Sequence, residues 1–326
     1  MKFGILGAGH IAKKMATTLM QMKKYDIECA AVGARDINRA KEFAKKYEIG
    51  KAYGSYEELV SDPDIDVIYV ATPHSHHYEH AKLCLEFGKH VLCEKSFTVN
   101  ADQAKKLIQL AESKELLLAE AIWTRYLPMR KVLDDLLKEQ VIGKITTLTA
   151  NLGYCMDQVP RLQDPELAGG ALLDVGVYTL NFAAMVFGYD IKEIQSTCVK
   201  TATGVDQQNS ITITYQNGAM AMLHSTMSAN TDRRGMLYGD KGAIEVVNIN
   251  NCEEIIITLN DGTRRVIKRP EQITGFEYQV LSVAHAIAED KTECPEMPHA
   301  DIIAIMEQMD SLRKEWGIHY GTIEEA

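Results

Sequence analysis

Residues 2–12, KFGILGAGHIA, pass from a short apolar run directly into Gly7-Ala8-Gly9-His10-Ile11-Ala12. A strand that stops at G-x-G-x-x-A and a helix that starts inside it leave a chain few folds to choose from. Gly7 permits the tight turn, Gly9 lets a pyrophosphate approach the backbone, and Ala12 lets the helix pack close to the sheet. The first N–H groups of that helix and the positive end of its dipole then face the phosphates, with His10 and Ile11 as cofactor neighbours. The motif predicts an N-terminal, dinucleotide-binding parallel sheet.

The chain that follows keeps the required alternation. A helix is predicted from Ile11 to about Lys23, a strand from Ile27, a helix from Ile37 to Tyr47 and another from Ser55. The run DVIYVATP reads as a buried strand, HAKLCLEFG as a helix ending at Gly88, HVLCEKS as a strand and Ala101 to Lys114 as a helix. Strands alternating with helices give a parallel sheet covered on both faces. After about Trp123 the pattern changes. Helices are predicted at Met129–Glu139 and around Leu172–Val186, and near Glu277–Ala288 and Asp301–Trp316 at the end. The rest is strand-like and punctuated by Gln216-Asn217-Gly218, Gly239-Asp240-Lys241-Gly242 and Asn260-Asp261-Gly262, which read as hairpin turns. The expected architecture is an α/β Rossmann domain over residues 1–122. An α+β domain over 123–326 follows, built on a large, mostly antiparallel open sheet, its last helix free to pack back on the first domain.

Composition narrows the function. At 326 residues the chain is long enough for two ordinary domains. A formal net charge of -10 argues against nucleic acid, whose phosphates demand a basic surface. No apolar run of membrane-spanning length and no secretory leader is read, so the cytoplasm is the expected compartment. The seven cysteines are scattered, without a C-x-x-C pair, and read as plain thiols of a reducing compartment.

The end of the second strand selects the cofactor. A carboxylate there holds the ribose 2′-hydroxyl of NAD. Here the strand ends Gly33-Ala34-Arg35-Asp36. Ala34 leaves room and Arg35 can pair with a 2′-phosphate, so NADP is preferred; Asp36 keeps NAD open. Three further stretches are read at strand C-termini, where an α/β fold puts its chemistry: Thr72-Pro73-His74-Ser75-His76-His77, Glu94-Lys95-Ser96, and Gly169-Gly170-Ala171-Leu172-Leu173-Asp174-Val175-Gly176-Val177-Tyr178. Histidines 74, 76, 77 and 80 read as a surface cluster at a helix start, and no metal is expected.

Taken with GKHVLCEK, GDKGAIEV and EAIWTRY, these stretches resemble the glucose–fructose oxidoreductase / inositol dehydrogenase (Gfo/Idh/MocA) family, nearest its dimeric dihydrodiol and D-xylose dehydrogenase branch. The resemblance implies an NAD(P)-dependent oxidoreductase that moves a hydride between nicotinamide and a hydroxyl carbon of a sugar or cyclic diol. It also implies a homodimer or larger even oligomer built on the open sheet. It places Lys95 at the family's E-K-P lysine, Tyr178 at the D-x-G-x-Y tyrosine and His77 at a supporting histidine. Thr72, Pro73, His74 and Glu94 join the cofactor set, and Trp123, Arg125 and Asp174 the substrate set. His74 stands where the family carries asparagine, and Ser96 where it carries proline. Trp123 and Tyr126 are read either as sugar-stacking rings or as packing. A phenol is too weak an acid to serve as a base at neutral pH unless an ammonium such as Lys95 favours its anion. The competing readings are a non-catalytic NADP-binding sensor or scaffold, and a dehydrogenase of inositol or amino-sugar derivatives.

Overall fold

The structure is a computed structural model that describes residues 1–324. Two compact units divide it: Met1–Tyr126 with Gln272–Met306, and Leu127–Glu271 with the chain from Glu307 onward. The sequence suggested a boundary at residue 122, with the last helix free to pack back on the first domain. The observed division is discontinuous, because residues 272–306 return to the first unit and the second boundary falls inside a helix.

The first unit holds a six-stranded parallel sheet of β1 (Lys2–Leu6), β2 (Glu28–Gly33), β3 (Lys51–Tyr53), β4 (Val67–Val70), β5 (His90–Glu94) and β6 (Leu118–Ala121). Their order is β3-β2-β1-β4-β5-β6. The strands are joined through α1 (His10–Met20), α2 (Ile37–Lys46), α3 (Tyr56–Val60), α4 (His77–Glu86) and α5 (Ala101–Ser113). All four residues of β4, VIYV, are buried, as a strand covered on both faces requires. The order reverses between β1 and β4, and such a reversal opens a crevice at the strand C-termini. Two strands escaped the sequence reading. β3 is a three-residue edge, and β6, Leu-Ala-Glu-Ala, carries no β-branched residue. β6 is held from outside the sheet: Leu118 N–H donates to Thr292 O (2.9 Å) and the His299 ring meets Leu118 O (2.9 Å). The returning segment therefore satisfies a sheet edge that would otherwise stay open.

The second unit is built on α6 (Pro128–Lys138), β7 (Ile145–Gly153), α7 (Val177–Phe187), β8 (Ile191–Lys200), β9 (Asp206–Tyr215), β10 (Met220–Thr226), β11 (Gly235–Gly239), β12 (Gly242–Val247), β13 (Glu254–Leu259) and β14 (Arg264–Lys268). Eight strands form one sheet in the order β14-β13-β12-β11-β7-β10-β9-β8. The pair β10–β7 is parallel and every other pair antiparallel. One face buries Leu148, Leu152, Ala221, Leu223, Ile213 and Leu237. The other leaves Met220, Met222 and Tyr238 about 40 % exposed. In register these lie beside Thr147 and Thr149 on β7. The two remaining helices are α8 (Glu277–Ala288) and α9 (His299–Trp316). The end of α9 is fastened to β8: Trp316 Nε1 donates to Ser196 Oγ (2.9 Å), which donates to Glu315 (2.8 Å).

One expectation is corrected. Pro165–Phe187 is long and apolar enough by composition to cross a bilayer. It reads instead as a core helix, because 78 % of its most apolar window is buried inside the protein.

Candidate active site

The dinucleotide loop is set by backbone geometry. Gly7 has φ +102°, its N–H donates to Gly33 O (2.9 Å), and a Cβ there would stand 3.1 Å from Ala71 O. Gly9 opens α1 with no side-chain cap and no acidic residue in the first turn. By contrast Asp36, Ser55 and Asn100 cap α2, α3 and α5 with their own side chains. An uncapped N-terminus keeps free N–H groups for an anion. Beside it lies a cavity of about 390 Å³ lined by Gly7, Gly9, Ala34, Arg35, Asp36, Arg39, Tyr56, Thr72 and Pro73. These residues fit a dinucleotide: an open helix end for its phosphates and guanidinium groups for a further phosphate. Ile11 is half-buried and His10 exposed.

The Arg35–Asp36 ambiguity resolves locally. The Asp36 carboxylate accepts the Asn38 N–H (2.8 Å) as the cap of α2, while Arg35 is exposed at the cavity. Arg39, which the sequence reading missed, lines the same cavity and donates to Ala8 O (3.0 Å). Its signal was its place one helical turn beyond Arg35. Tyr56 stands close to both guanidinium groups; burial raises its phenol pKa and the two arginines oppose that rise.

The histidine segment serves as a brace. His77 is fully buried, its Nδ1 2.7 Å from Ser96 O and its Nε2 2.9 Å from Thr72 O. Burial holds the imidazole neutral, with its pKa lowered to about 4. A neutral ring carries one N–H, so two carbonyls share one donor. Both nitrogens are thus occupied by backbone, tying the end of β4 to the residue after Lys95. His74 is buried with its ring edge-on to that of His77. His76 and His80 have their rings 5.5 Å apart, and their Nδ1 atoms meet Ser75 Oγ and Thr72 Oγ1.

The end of β5 gathers charge. Lys95 is half-exposed, and the peptide joining it to Ser96 is cis. Glu94 is buried; Tyr69 donates its hydroxyl to one carboxylate oxygen and the Lys95 N–H to the other (3.3 Å). Burial raises the Glu94 carboxyl pKa, opposed by the Tyr69 hydrogen bond and by Lys95 and Lys14. Glu120, opposite Cys93 in the register, is also buried, and burial pushes its carboxyl up to about 8 against the pull of Arg125, the Phe97 N–H and Lys95.

Trp123 and Arg125 are both buried in the short turn after β6. The Lys14 ammonium lies 3.8 Å from the centre of the Trp123 ring, Phe276 packs edge-on to that ring, and a Cβ on Gly275 would stand 2.7 Å from it. Packing thus claims much of the Trp123 surface that the sequence reading had offered to substrate. Tyr126 is buried too, its hydroxyl donating to Glu120 O (2.8 Å). Arg125 pairs with Asp301 (2.6 Å).

In the second unit Tyr178 is the second residue of α7 and 7 % exposed. It follows a π-helical turn, Leu172–Gly176, of a kind that recurs at functional sites. Asp174 lies in that turn, buried, and pairs with the half-exposed Arg161 (3.0 Å), which the sequence reading also missed. Among the described residues no group of three or more His, Cys, Asp or Glu could hold a metal.

Comparison with known proteins joins these features. The pattern of the GFO/IDH/MocA oxidoreductase family, with its NAD-binding Rossmann fold, matches residues 1–121, and that of the family's C-terminal domain matches residues 131–245. The chain is 35 % identical over 328 residues to trans-1,2-dihydrobenzene-1,2-diol dehydrogenase of Xenopus tropicalis, covering 98 % of this chain and 99 % of that one. It is 33 % identical over 331 residues to the Mus musculus enzyme of the same name, covering 98 % of both. Among solved structures it is similar to KijD10, a 3-ketoreductase from Actinomadura kijaniata in complex with NADP and TDP-benzene, at TM-score 0.86 and 24 % identity over 96 % of this chain and 97 % of that one. It is also similar to aldose-aldose oxidoreductase from Caulobacter crescentus, at TM-score 0.86 and 20 % identity over 97 % of both chains.

Two outcomes follow from this geometry. Arg35→Ala should weaken NADP by roughly 10- to 100-fold, the worth of a charge-assisted hydrogen bond or two, and leave NAD nearly unchanged. Fluorescence titration with each cofactor checks this, and equal losses would make Arg35 a general structural residue. The second outcome concerns acid. His77 is neutral when folded down to about 4 against an ordinary 6.5, so its stabilisation is complete above pH 6.5 and lost as pH falls through 4. The urea midpoint of the wild type should therefore drop between pH 7 and pH 4.5, and drop less in His77→Gln. The difference should be on the order of 1–3 kcal/mol.

Proposed function

The chain belongs to the GFO/IDH/MocA oxidoreductase family, and from that premise we propose that it interconverts a carbinol and a carbonyl on a vicinal cyclic diol or a pyranose sugar, using NADP in preference to NAD. The observation that carries this reading is identity with the dihydrodiol dehydrogenases along nearly the whole of both chains. The open end of α1, the capping role of Asp36 and the placement of Arg35 and Arg39 at one cavity support the cofactor.

When bound, the nicotinamide takes the hydride of the carbinol carbon and leaves the hydroxyl proton for the protein to remove. As the C–H and O–H bonds break, C=O forms, and the reverse direction returns both hydrogens. In this reading Tyr178 carries the proton and Lys95 donates a charged hydrogen bond to the reacting oxygen. His77 positions rather than reacts, since both its nitrogens lie on backbone carbonyls. Glu94 orients the lysine turn through the Lys95 N–H. Asp174, paired with Arg161, belongs to the substrate side. Arg125, paired with Asp301, and Trp123, packed against Lys14 and Phe276, shape the floor of the first unit rather than grip substrate. A non-catalytic sensor is the weaker reading, because the relatives that match over the full length are named as dehydrogenases.

The assembly in this reading is a homodimer, or a larger even oligomer, closed over the bare face of the large sheet. The exposure of Met220 and Met222 on β10 and of Tyr238 on β11, either side of Thr147 and Thr149 on β7, supports it, because large apolar side chains left bare on one sheet face are commonly covered by a partner. The cytoplasm is the proposed compartment, supported by seven unpaired thiols.

Turnover of aldoses, polyols and cyclic diols with NADP and NAD tests the substrate class, and activity confined to open-chain hydroxy acids would overturn it. Tyr178→Phe should lower kcat by roughly 10²- to 10⁴-fold, the usual worth of a positioned acid or base, with NADP binding retained. Lys95→Met should also cut turnover. Near-normal turnover in Tyr178→Phe would return Tyr178 to a packing role. Light scattering at micromolar concentration should give an even multiple of the chain mass, and Met222→Lys should lower it; a wild-type monomer would end the oligomer proposal.

A further inference from the structure

The chain enters the turn that carries Asp174 through Gly169 and Gly170, and each position demands glycine. A Cβ on Gly169 would stand 2.6 Å from Leu162 O, and Gly170 has φ +109°. Glycine has the greatest backbone freedom of any residue, so the geometry of such a pair must be imposed by its surroundings. Hydrogen bonds impose it here. The Gly169 N–H donates to Asp164 O (3.0 Å) and the Gly170 N–H to Leu162 O (2.9 Å), both in the short turns just before the pair. A further bond comes from 151 residues away: the Tyr320 hydroxyl donates to Gly169 O (2.8 Å).

Tyr320 is itself firmly held. Its ring is fully buried, the Arg313 guanidinium lies 4.7 Å from the ring centre, and Arg313 donates to Asp310 (2.7 Å). Residues 317–320 leave the end of α9 on a fixed path. The Gly317 N–H donates to Lys314 O (3.1 Å), the Ile318 N–H to Arg313 O (2.9 Å), and Lys200 Nζ on β8 donates to Gly317 O (3.0 Å). A phenylalanine would fill the space of the ring equally well. What the hydroxyl adds is direction, because a hydrogen bond fixes the Gly169 peptide where apolar packing leaves it freer. From that peptide the chain runs through Ala171 into the π-helical turn Leu172–Gly176, whose first N–H is held by Asp206, and then into α7 with Tyr178 as its second residue.

We propose that Tyr320 is a positioning residue: through Gly169 it fixes the entry of the turn that presents Asp174 and Tyr178. The segment after α9 is in this way part of the site without touching substrate. The inference rests on the proposed roles of Tyr178 and Asp174. Tyr320 makes and breaks no bond and passes no proton. It removes the freedom of a glycine pair from the approach to the phenol. The bonds to Leu162 and Asp164 tie the pair to its own neighbouring loop and travel with it. Tyr320 and Asp206 tie it instead to the end of α9 and to β9, which belong to the framework of the unit. Those two long-range ties therefore set where the turn stands, and a functional group is only as well placed as the shell that supports it.

Tyr320→Phe should lower kcat by roughly 3- to 10-fold on the diol or sugar that the wild type turns over, the worth of one neutral hydrogen bond. The Kd for NADP should stay unchanged, because the dinucleotide loop belongs to the other unit. Replacing Tyr320 with para-aminophenylalanine, whose N–H still reaches a carbonyl, should restore kcat. Replacing it with para-methylphenylalanine, of the same bulk but without a donor, should not. A second readout needs no turnover. Fluorotyrosine placed at position 178 and followed by fluorine NMR should shift or broaden in Tyr320→Phe, while fluorotyrosine at position 238, on β11, should not. An unchanged signal at 178 overturns the proposal, and so does equal restoration of kcat by the amino and methyl analogues. Changes at both probes overturn it too, since they mean a general loosening of the unit. If Tyr320→Phe fails to fold, the two para-substituted variants, alike in shape, carry the same comparison of kcat and of the signal at 178. An enzyme inactive on every diol and sugar would refute the proposed function, and the fluorine signals would still decide this inference.

Discussion

The hydrogen bond from Gly7 N–H to Gly33 O is the constraint on which the first unit depends. It joins the end of β1 to the end of β2 while the chain is already turning into α1 with φ +102° at Gly7. A side chain there would strain the backbone and press on Ala71 O, at the end of β4. Three strand ends are therefore brought together at one residue without a Cβ, at the place where the strand order reverses. The helix that leaves this point is the one major helix of the sheet that begins on a glycine with no side-chain cap. Its first N–H groups are not spent within the protein. The same small region thus fixes the topology and leaves an anion site open, so fold and cofactor site share one cause.

A second constraint is the handling of charge below that loop. Glu94, Glu120, Arg125 and His77 are each 5 % exposed or less, a burial such residues tolerate only with partners. The structure supplies them from distant parts of the chain: Asp301 for Arg125, Tyr69 for Glu94, the Ser96 and Thr72 carbonyls for His77. The return of residues 272–306 to the first unit belongs to the same logic. Glu277 accepts the N–H groups of Ile273, Thr274 and Gly275, which fixes the start of α8 where Phe276 meets Trp123 and Lys14. Charge neutrality and edge-strand pairing together account for a unit that is discontinuous in sequence.

This explains what the sequence disclosed and what it withheld. G-x-G-x-x-A, the buried VIYV strand and the paired turns of the second sheet are local patterns, and local patterns are legible: α8 has the bounds the sequence predicted. The short β3 and the alanine-rich β6 carry too little periodicity to stand out, and β6 is a strand because Thr292 and His299 complete it. Arg35 was legible as a residue at the end of β2 and lines the cavity there, but Asp36 stayed ambiguous until its carboxylate was seen capping α2. His77 read as a supporting histidine, and a sequence shows the ring but not the two carbonyls around it. Trp123 read as either a stacking ring or packing, and an ammonium from α1, more than one hundred residues earlier, lies over it. Residues whose role depends on a partner distant in sequence are the ones that one-dimensional pattern leaves open.

The second unit shows how the same principle places Tyr178. The π-helical turn before α7 widens the backbone, and its first N–H, that of Leu172, donates to Asp206 Oδ2 (2.7 Å). Asn209 donates to the same oxygen (2.8 Å) and accepts from Ser225 (2.7 Å), so β9 and β10 reach the turn through one fully buried polar chain. Gly170 has φ +109°, and a Cβ there would collide with Asp206 Oδ1; Gly176 lies against Ser225 Oγ. The glycines of GGALLDVG are therefore spacings that let strand side chains grip a helix start from below. Burial raises the Asp206 carboxyl to about 6, and Asn209 and the Leu172 N–H oppose that rise. A buried carboxylate with one oxygen left without a hydrogen-bond partner is an expensive anchor, and an apolar contact would stabilise the unit more simply. What a hydrogen-bonded anchor adds is direction: it fixes the rotation of the turn about the helix axis, which apolar packing leaves freer. Tyr178, two residues past the turn, inherits that orientation.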